Sequence, residues 1–181
     1  MAFNDQPTLA DDVFVLTPMR EADRTALAAA AADPLIWAGH PAKDRHERAV
    51  FDPYFDSLLS GGGTLVIREA ETGMVAGCSR FYASPDIPDE IAIGFTFLTR
   101  AHWGGDGNRR IKRLMLGHAF DDYENVWFHI APDNIRSRKA TAKLGAVFVD
   151  EGQFDLGNRS AAWARYRLSR SDWLATEVET A

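Results

Sequence analysis

The stretch from Glu90 to Ala119, EIAIGFTFLTRAHWGGDGNRRIKRLMLGHA, changes period twice. Glu90 to Thr99 is rich in Ile, Phe and Thr and reads as a buried strand. The segment His102-Trp103-Gly104-Gly105-Asp106-Gly107-Asn108 interrupts it, and Ile111, Leu114, Met115, His118 and Ala119 then recur at helical spacing. A strand therefore hands over to a helix through a glycine-rich turn. At such a junction backbone N–H groups converge on the positive end of the helix dipole, which suits a phosphate or pyrophosphate. Glycines also serve tight connections that hold no ligand. Arg109, Arg110, Lys112 and Arg113 stand where the dipole disfavours cations, so they face either an anion or solvent.

Working outward, Val13 to Leu16 is a short apolar strand stopped by Pro18. Arg20 to Ala32 follows as a helix, with Glu21 and Asp23 in its first turn and a run of alanines after them. A second helix, roughly Asp44 to Leu59, closes on Gly61-Gly62-Gly63. Thr64 to Arg68 and Met74 to Tyr82 form a hairpin around Glu71-Thr72-Gly73. The polar loop Ala83 to Asp89 then leads into the strand at Glu90. Beyond the central helix come a strand, Val126 to Ile130, and a helix, Asn134 to Leu144, with Asn134 as N-cap and Gly145 as the stop. Val147 to Phe154 and Ala162 to Leu168 make a closing hairpin around Asp155-Leu156-Gly157-Asn158. The fold class expected is α/β: a mixed, mostly antiparallel sheet with helices on both faces.

A chain of 181 residues, 46% hydrophobic and 25% charged, suits one domain over 1–181, with 1–12 loosely ordered and the informative core at about 90–146. The formal charge of -6 repels nucleic-acid backbones and anionic lipid, so neither is expected as a partner. Cys78 is the only cysteine, which fits a cytoplasmic chain with a buried, inert thiol. Met1 to Asp12 has no secretory pattern. The histidines His40, His46, His102, His118 and His129 show no metal-ligand spacing, so no metal is expected. The turn is not a P-loop, because no Gly-Lys-Ser/Thr follows the glycines. Antiparallel hairpins before it also argue against a dinucleotide βαβ unit.

The words Ile93-Gly94-Phe95-Thr96-Phe97-Leu98, His102-Trp103-Gly104-Gly105, Asn108-Arg109, Lys112-Arg113-Leu114-Met115, Asn134-Ile135-Arg136-Ser137 and Lys143-Leu144-Gly145-Ala146 resemble the GNAT superfamily of N-acetyltransferases. The resemblance is strongest to its branch of ribosomal-protein N-terminal (alanine/serine) acetyltransferases. It implies a splayed parallel strand pair and acetyl-CoA as acetyl donor to a primary amine, which could be a protein N-terminus, a polyamine or a small molecule. It further implies that the backbone of Phe97, Leu98 and Thr99 pairs with the pantetheine arm. Trp103, Gly104, Gly105, Asp106, Gly107, Asn108 and Arg109 would hold the pyrophosphate, Asn134 the pantetheine, and Arg138 the nucleotide phosphates. Asn134 is equally a helix cap, and Arg138 equally a solvated helix charge.

Two departures from the family pattern matter. Asp106 stands where the turn's central glycine falls, unless the register shifts by one residue, so its carboxylate should point away from a pyrophosphate or cap the helix. Thr141 stands where many members carry a tyrosine acid, and Ser137, one turn into the helix, is the substitute, though serine there also caps. Direct attack by the amine needs a base, an oxyanion stabiliser and an acid. Glu90 is the candidate base: residues 90, 92 and 94 share the face on which the amine should enter, although members often place the carboxylate at the position of Ala92. Trp37 and His40 are candidate walls of the acceptor pocket, with core packing the other role for the tryptophan. The chain could be a monomer or a homodimer. Two other classes stay open at this level: a non-catalytic acyl-CoA-binding module and an unrelated phosphate-binding domain.

Overall fold

The computed structural model describes residues 3–85, 87–156 and 160–179. Eight strands lie in the order β1-β2-β3-β4-β5-β6-β8-β7. In chain order they are β1 Leu9–Ala10, β2 Phe14–Pro18, β3 Thr64–Glu69, β4 Val75–Ala83, β5 Ile91–Leu98, β6 Asn125–Ile130, β7 Val147–Asp155 and β8 Ser160–Ser169. The helices are α1 Arg24–Ala30, α2 Pro34–Trp37, α3 Arg48–Ser60, α4 Gly107–Ala119, α5 Ile135–Ala142 and α6 Arg170–Glu179. The mixed, mostly antiparallel sheet and its single parallel pair, β5 with β6, match the expected fold class.

Two compact units divide the chain: Met1–Phe81 with Phe95–Met115, and Tyr82–Gly94 with Leu116–Ala181. In the first, β2 pairs with β3 and β3 with β4, all antiparallel. The buried side of this unit gathers Leu27 and Ala31, Trp37, Phe51, Phe55 and Leu58, Val66, Cys78 and Phe97 into one apolar cluster. Burial of that many large side chains is what orders the helices, since a helix as short as α1 or α2 is marginal by itself. Part of the expected loose start is in fact paired: Leu9 and Ala10 lie opposite Leu16 and Val15.

In the second unit β6 pairs antiparallel with β8, and β8 with β7. The closing hairpin thus stands as read, with Gly157 and Asn158 of its loop outside the described residues. Helix α6 is an addition to the sequence reading. Ser169 Oγ accepts from the Asp172 amide at 3.1 Å, capping the helix. Trp173 packs on Phe120 with ring centroids 5.2 Å apart.

Candidate active site

The parallel ladder between β5 and β6 consists of Ile91↔Val126 and Ala92↔Trp127 and goes no further. β6 continues to Ile130 on its own account, held from its other side by β8. Past these two pairs β5 and β6 are no longer laddered to each other.

Glu90 stands just before the paired positions. Its Oε2 accepts from Trp127 Nε1 at 2.8 Å and its Oε1 from Asn125 Nδ2 at 3.2 Å. Both donors lie on one face of β6, because residues 125 and 127 alternate with 126. The carboxylate's remaining lone pairs stay available to a substrate or a water.

Asn134 caps α5: its Oδ1 accepts from the Ser137 amide at 3.2 Å. Ser137 is half-buried in that first turn. Arg138 turns onto the closing hairpin. Its Nε donates to Tyr166 Oη at 2.9 Å, its Nη1 to the Pro132 carbonyl at 3.1 Å, and Glu151 lies 3.7 Å away.

In the first unit, the strand end expected to meet pantetheine is partly engaged within the chain. The Thr99 amide donates to the Ala76 carbonyl at 2.8 Å, and the Leu98 carbonyl accepts from Trp103 Nε1 at 3.0 Å. Phe97 is buried in the apolar cluster. A 3-10 turn, Arg100–His102, leads into the glycine turn. Gly104 has φ +77°, in the left-handed region, while Gly105 lies outside that region, and a side chain at either would meet nothing in the chain. Gly107 begins α4, and a Cβ there would stand 3.1 Å from the His102 carbonyl oxygen. Arg109 is exposed.

The repulsion feared from Asp106 is neutralised by Arg110. Asp106 Oδ2 accepts from Arg110 Nε at 2.8 Å, and the same guanidinium meets Asp12 at 2.6 Å and Asp11 at 3.3 Å. Arg110 is thereby committed to carboxylates, so one of the four cations is accounted for by acids of this chain. Lys112 is another. It is 5% exposed, and its Nζ donates to Thr96 Oγ1 at 2.7 Å and Ser79 Oγ at 3.1 Å, with no carboxylate paired to it among the described residues. Burial lowers its pKa to about 7. The sequence does carry a sign of this: Lys112 sits between Ile111 and the buried pair Met115 and Leu116, three and four residues on, which puts it on the apolar stripe. Cys78 is fully buried, which pushes its thiol up to about 12.

Trp37 belongs to the core. It is 3% exposed, its indole N–H donates to the Ala31 carbonyl at 2.8 Å, and its ring lies 5.3 Å from that of Phe97. His40 stands edge-on to it at 5.7 Å and its Nε2 is 3.2 Å from Arg45 Nη1. The Arg45 guanidinium is stacked 3.8 Å over Tyr54. Sequence reading passed over Arg45, which looks like an ordinary charge in a polar connection.

A mixed sheet of this order with one short parallel pair, and a glycine turn at a helix start, fit an acetyltransferase architecture. Residues 14–147 match the family model described as an acetyltransferase (GNAT) domain. The chain belongs to that family. A GCN5-related N-acetyltransferase from Brucella melitensis superposes with a TM-score of 0.81 at 18% identity, over 98% of this chain and 85% of that one. A probable GNAT acetyltransferase from Chromobacterium violaceum gives 0.80 at 15% identity, over 95% and 90%. Mycobacterium smegmatis RimJ, solved in complex with CoA-disulfide, gives 0.67 at 16% identity, over 96% and 93%. Among curated proteins none matches the sequence. Among the described residues no helix is long and apolar enough to cross a membrane, and no group of three or more His, Cys, Asp or Glu side chains is placed to hold a metal ion.

Proposed function

We propose that this acetyltransferase moves the acetyl group of acetyl-CoA onto a primary amine by direct attack. The family match carries the reading: residues 14–147 match an acetyltransferase (GNAT) domain, and the sheet holds a short parallel pairing of β5 with β6 that ends after Ala92 and Trp127. The pyrophosphate of acetyl-CoA is assigned to Trp103 through Arg109. Gly105 supports this, because neither backbone conformation nor crowding within the chain requires a glycine there, whereas close approach of a phosphate does. Asn134 is assigned the pantetheine, with its amide group oriented by the cap it makes. Arg138, bound to Tyr166 and Pro132, has to leave those partners to reach a phosphate, so it is the weakest of the assigned ligands.

An alkyl amine arrives as an ammonium ion and sheds two protons, one before attack and one after the C–N bond forms. Glu90 is assigned the first: a carboxylate attracts the cation and accepts its proton, directly or through a water. The departing thiolate needs one proton back. Ser137 is assigned to donate to it, an easy task for a thiol whose ordinary pKa is about 8.5. His40 is the side chain assigned to meet the acceptor, with Trp37 packed behind it as its support.

Acetyl-CoA that binds only the folded chain must stabilise it by mass action, by about 2.7 kcal/mol at a hundredfold excess over Kd, and so raise its melting temperature. A concentration-dependent shift with acetyl-CoA that inorganic pyrophosphate does not reproduce is the expected result. A melting temperature unmoved by acetyl-CoA overturns the proposal.

A further inference from the structure

Carried one alternation past Ala92↔Trp127, the parallel register reaches Gly94 on β5 and His129 on β6, where the ladder has already ended. Tyr82, near the end of β4, fills that place. Its ring lies across Gly94: a Cβ added to the glycine would stand 3.0 Å from Tyr82 Cε1 and 3.2 Å from its hydroxyl oxygen. Gly94 has no left-handed φ, so space for the tyrosine is what glycine provides there. The phenol oxygen then reaches His129 Nδ1 at 2.9 Å.

His129 is 7% exposed, and Phe154 of β7 closes it edge-on at 5.8 Å. The cation nearby, Arg165 of β8, covers the far partner Phe154 at 4.8 Å and is paired with Asp150. Burial lowers the His129 pKa to about 4, so at neutral pH the imidazole is uncharged and one ring nitrogen keeps its lone pair. Glu90, just ahead of the strand, lies four residues before Gly94, roughly 13 Å along an extended chain, and both its oxygens accept hydrogen bonds from β6.

We infer that Tyr82 and His129 form a proton relay that takes the second proton of the amine, an inference that rests on the acetyl transfer proposed above. The amine lone pair forms the C–N bond at the thioester carbonyl. The N–H bond of the resulting cationic nitrogen breaks as an O–H bond forms at Tyr82, while the original phenol proton passes to His129 Nδ1. The C–S bond then breaks, Ser137 gives the CoA thiolate its one proton and recovers one from solvent, and His129 returns its own proton through Tyr82 to solvent. In this assignment Tyr82 is the member that meets the amine and so the catalytic residue of the pair. His129 acts through it.

The test uses the full chain with an amine that the wild type acetylates. Tyr82→Phe keeps the ring over Gly94 and should lower kcat about a hundredfold, the usual contribution of a positioned proton acceptor, while the melting shift produced by acetyl-CoA stays at the wild-type value. His129→Asn keeps an oxygen to accept the phenol hydrogen bond but has no basic nitrogen, and it should lose as much, with the defect in kcat rather than in KM for acetyl-CoA. Melting curves of both variants establish that they fold. Wild-type kcat in Tyr82→Phe overturns the relay, and wild-type kcat in folded His129→Asn overturns it too by reducing His129 to packing. A wild-type chain that binds acetyl-CoA but acetylates no amine overturns the acetyl-transfer reading itself, and is distinguished from either variant result because it precedes them.

Discussion

At the scale of single residues, chemistry depends on which charges are buried and which are already paired. Lys112 is the sharpest case. Its folded pKa of about 7 lies below its unfolded value of about 10.4. Between the two values the unfolded chain binds the proton and the folded chain does not, so stability rises with pH through that window. Cys78 opposes this above about pH 9, because its folded pKa near 12 keeps the thiol protonated while the unfolded thiol ionises. The clean interval is therefore pH 7 to 8.5, over which Lys112 should add about 1.5 kcal/mol to the free energy of urea unfolding. Lys112→Met should be more stable than wild type at pH 7 and lose most of that rise. A variant with an unchanged pH slope would show that the ammonium is hydrated in solution. Position on the apolar stripe made the burial of Lys112 legible. Its hydroxyl partners, Thr96 and Ser79, come from two other elements, which spacing along one helix does not reveal.

At the scale of elements, the glycine turn separates folding from binding. Gly104 adopts φ +77°, so Gly104→Ala should cost about 1–2 kcal/mol from backbone conformation alone. Gly105 has no such conformation and open space around it, so Gly105→Ala should leave the urea midpoint unchanged and weaken acetyl-CoA binding by about tenfold. Equal affinity in that variant would remove the pyrophosphate from this turn. Asn134→Ala should cost about 1 kcal/mol as a lost cap, and a loss of acetyl-CoA affinity beyond what that instability explains would mark Asn134 as a ligand. Two helices escaped the sequence reading for different reasons. Helix α2 is one turn started by Asp33, whose Oδ1 accepts from the Leu35 amide at 2.9 Å, and Asp33-Pro34 reads as an end as readily as a beginning. Helix α6 carried a visible start, Ser169 three residues before Asp172, but its few apolar residues give little periodicity.

At the scale of the whole molecule, the order of strands and helices was legible because hydrophobic period and turn composition change together, as they do around Gly61 to Gly63 and around Glu71 to Gly73. The short parallel pairing was not. It depends on a register between β5 and β6 that stops after Ala92, a long-range property, and only the resemblance of the central words to a known family pointed toward a parallel pair. Tyr82 and His129 were hidden for the same reason, since 47 residues separate a tyrosine at one strand end from a histidine that reads as half-buried packing. The net charge of -6 favours a cationic acceptor over an anionic one by steering, so raising ionic strength should slow acetylation of a polyamine more than that of a singly charged amine. The central claim is tested most directly by supplying acetyl-CoA labelled in the acetyl group, adding a panel of primary amines, and following free CoA thiol together with label on the amine. Thiol release that requires both the protein and an amine, matched mole for mole by label on that amine, is the predicted result. Release of neither with any amine, or thiol release that proceeds without one, would contradict it.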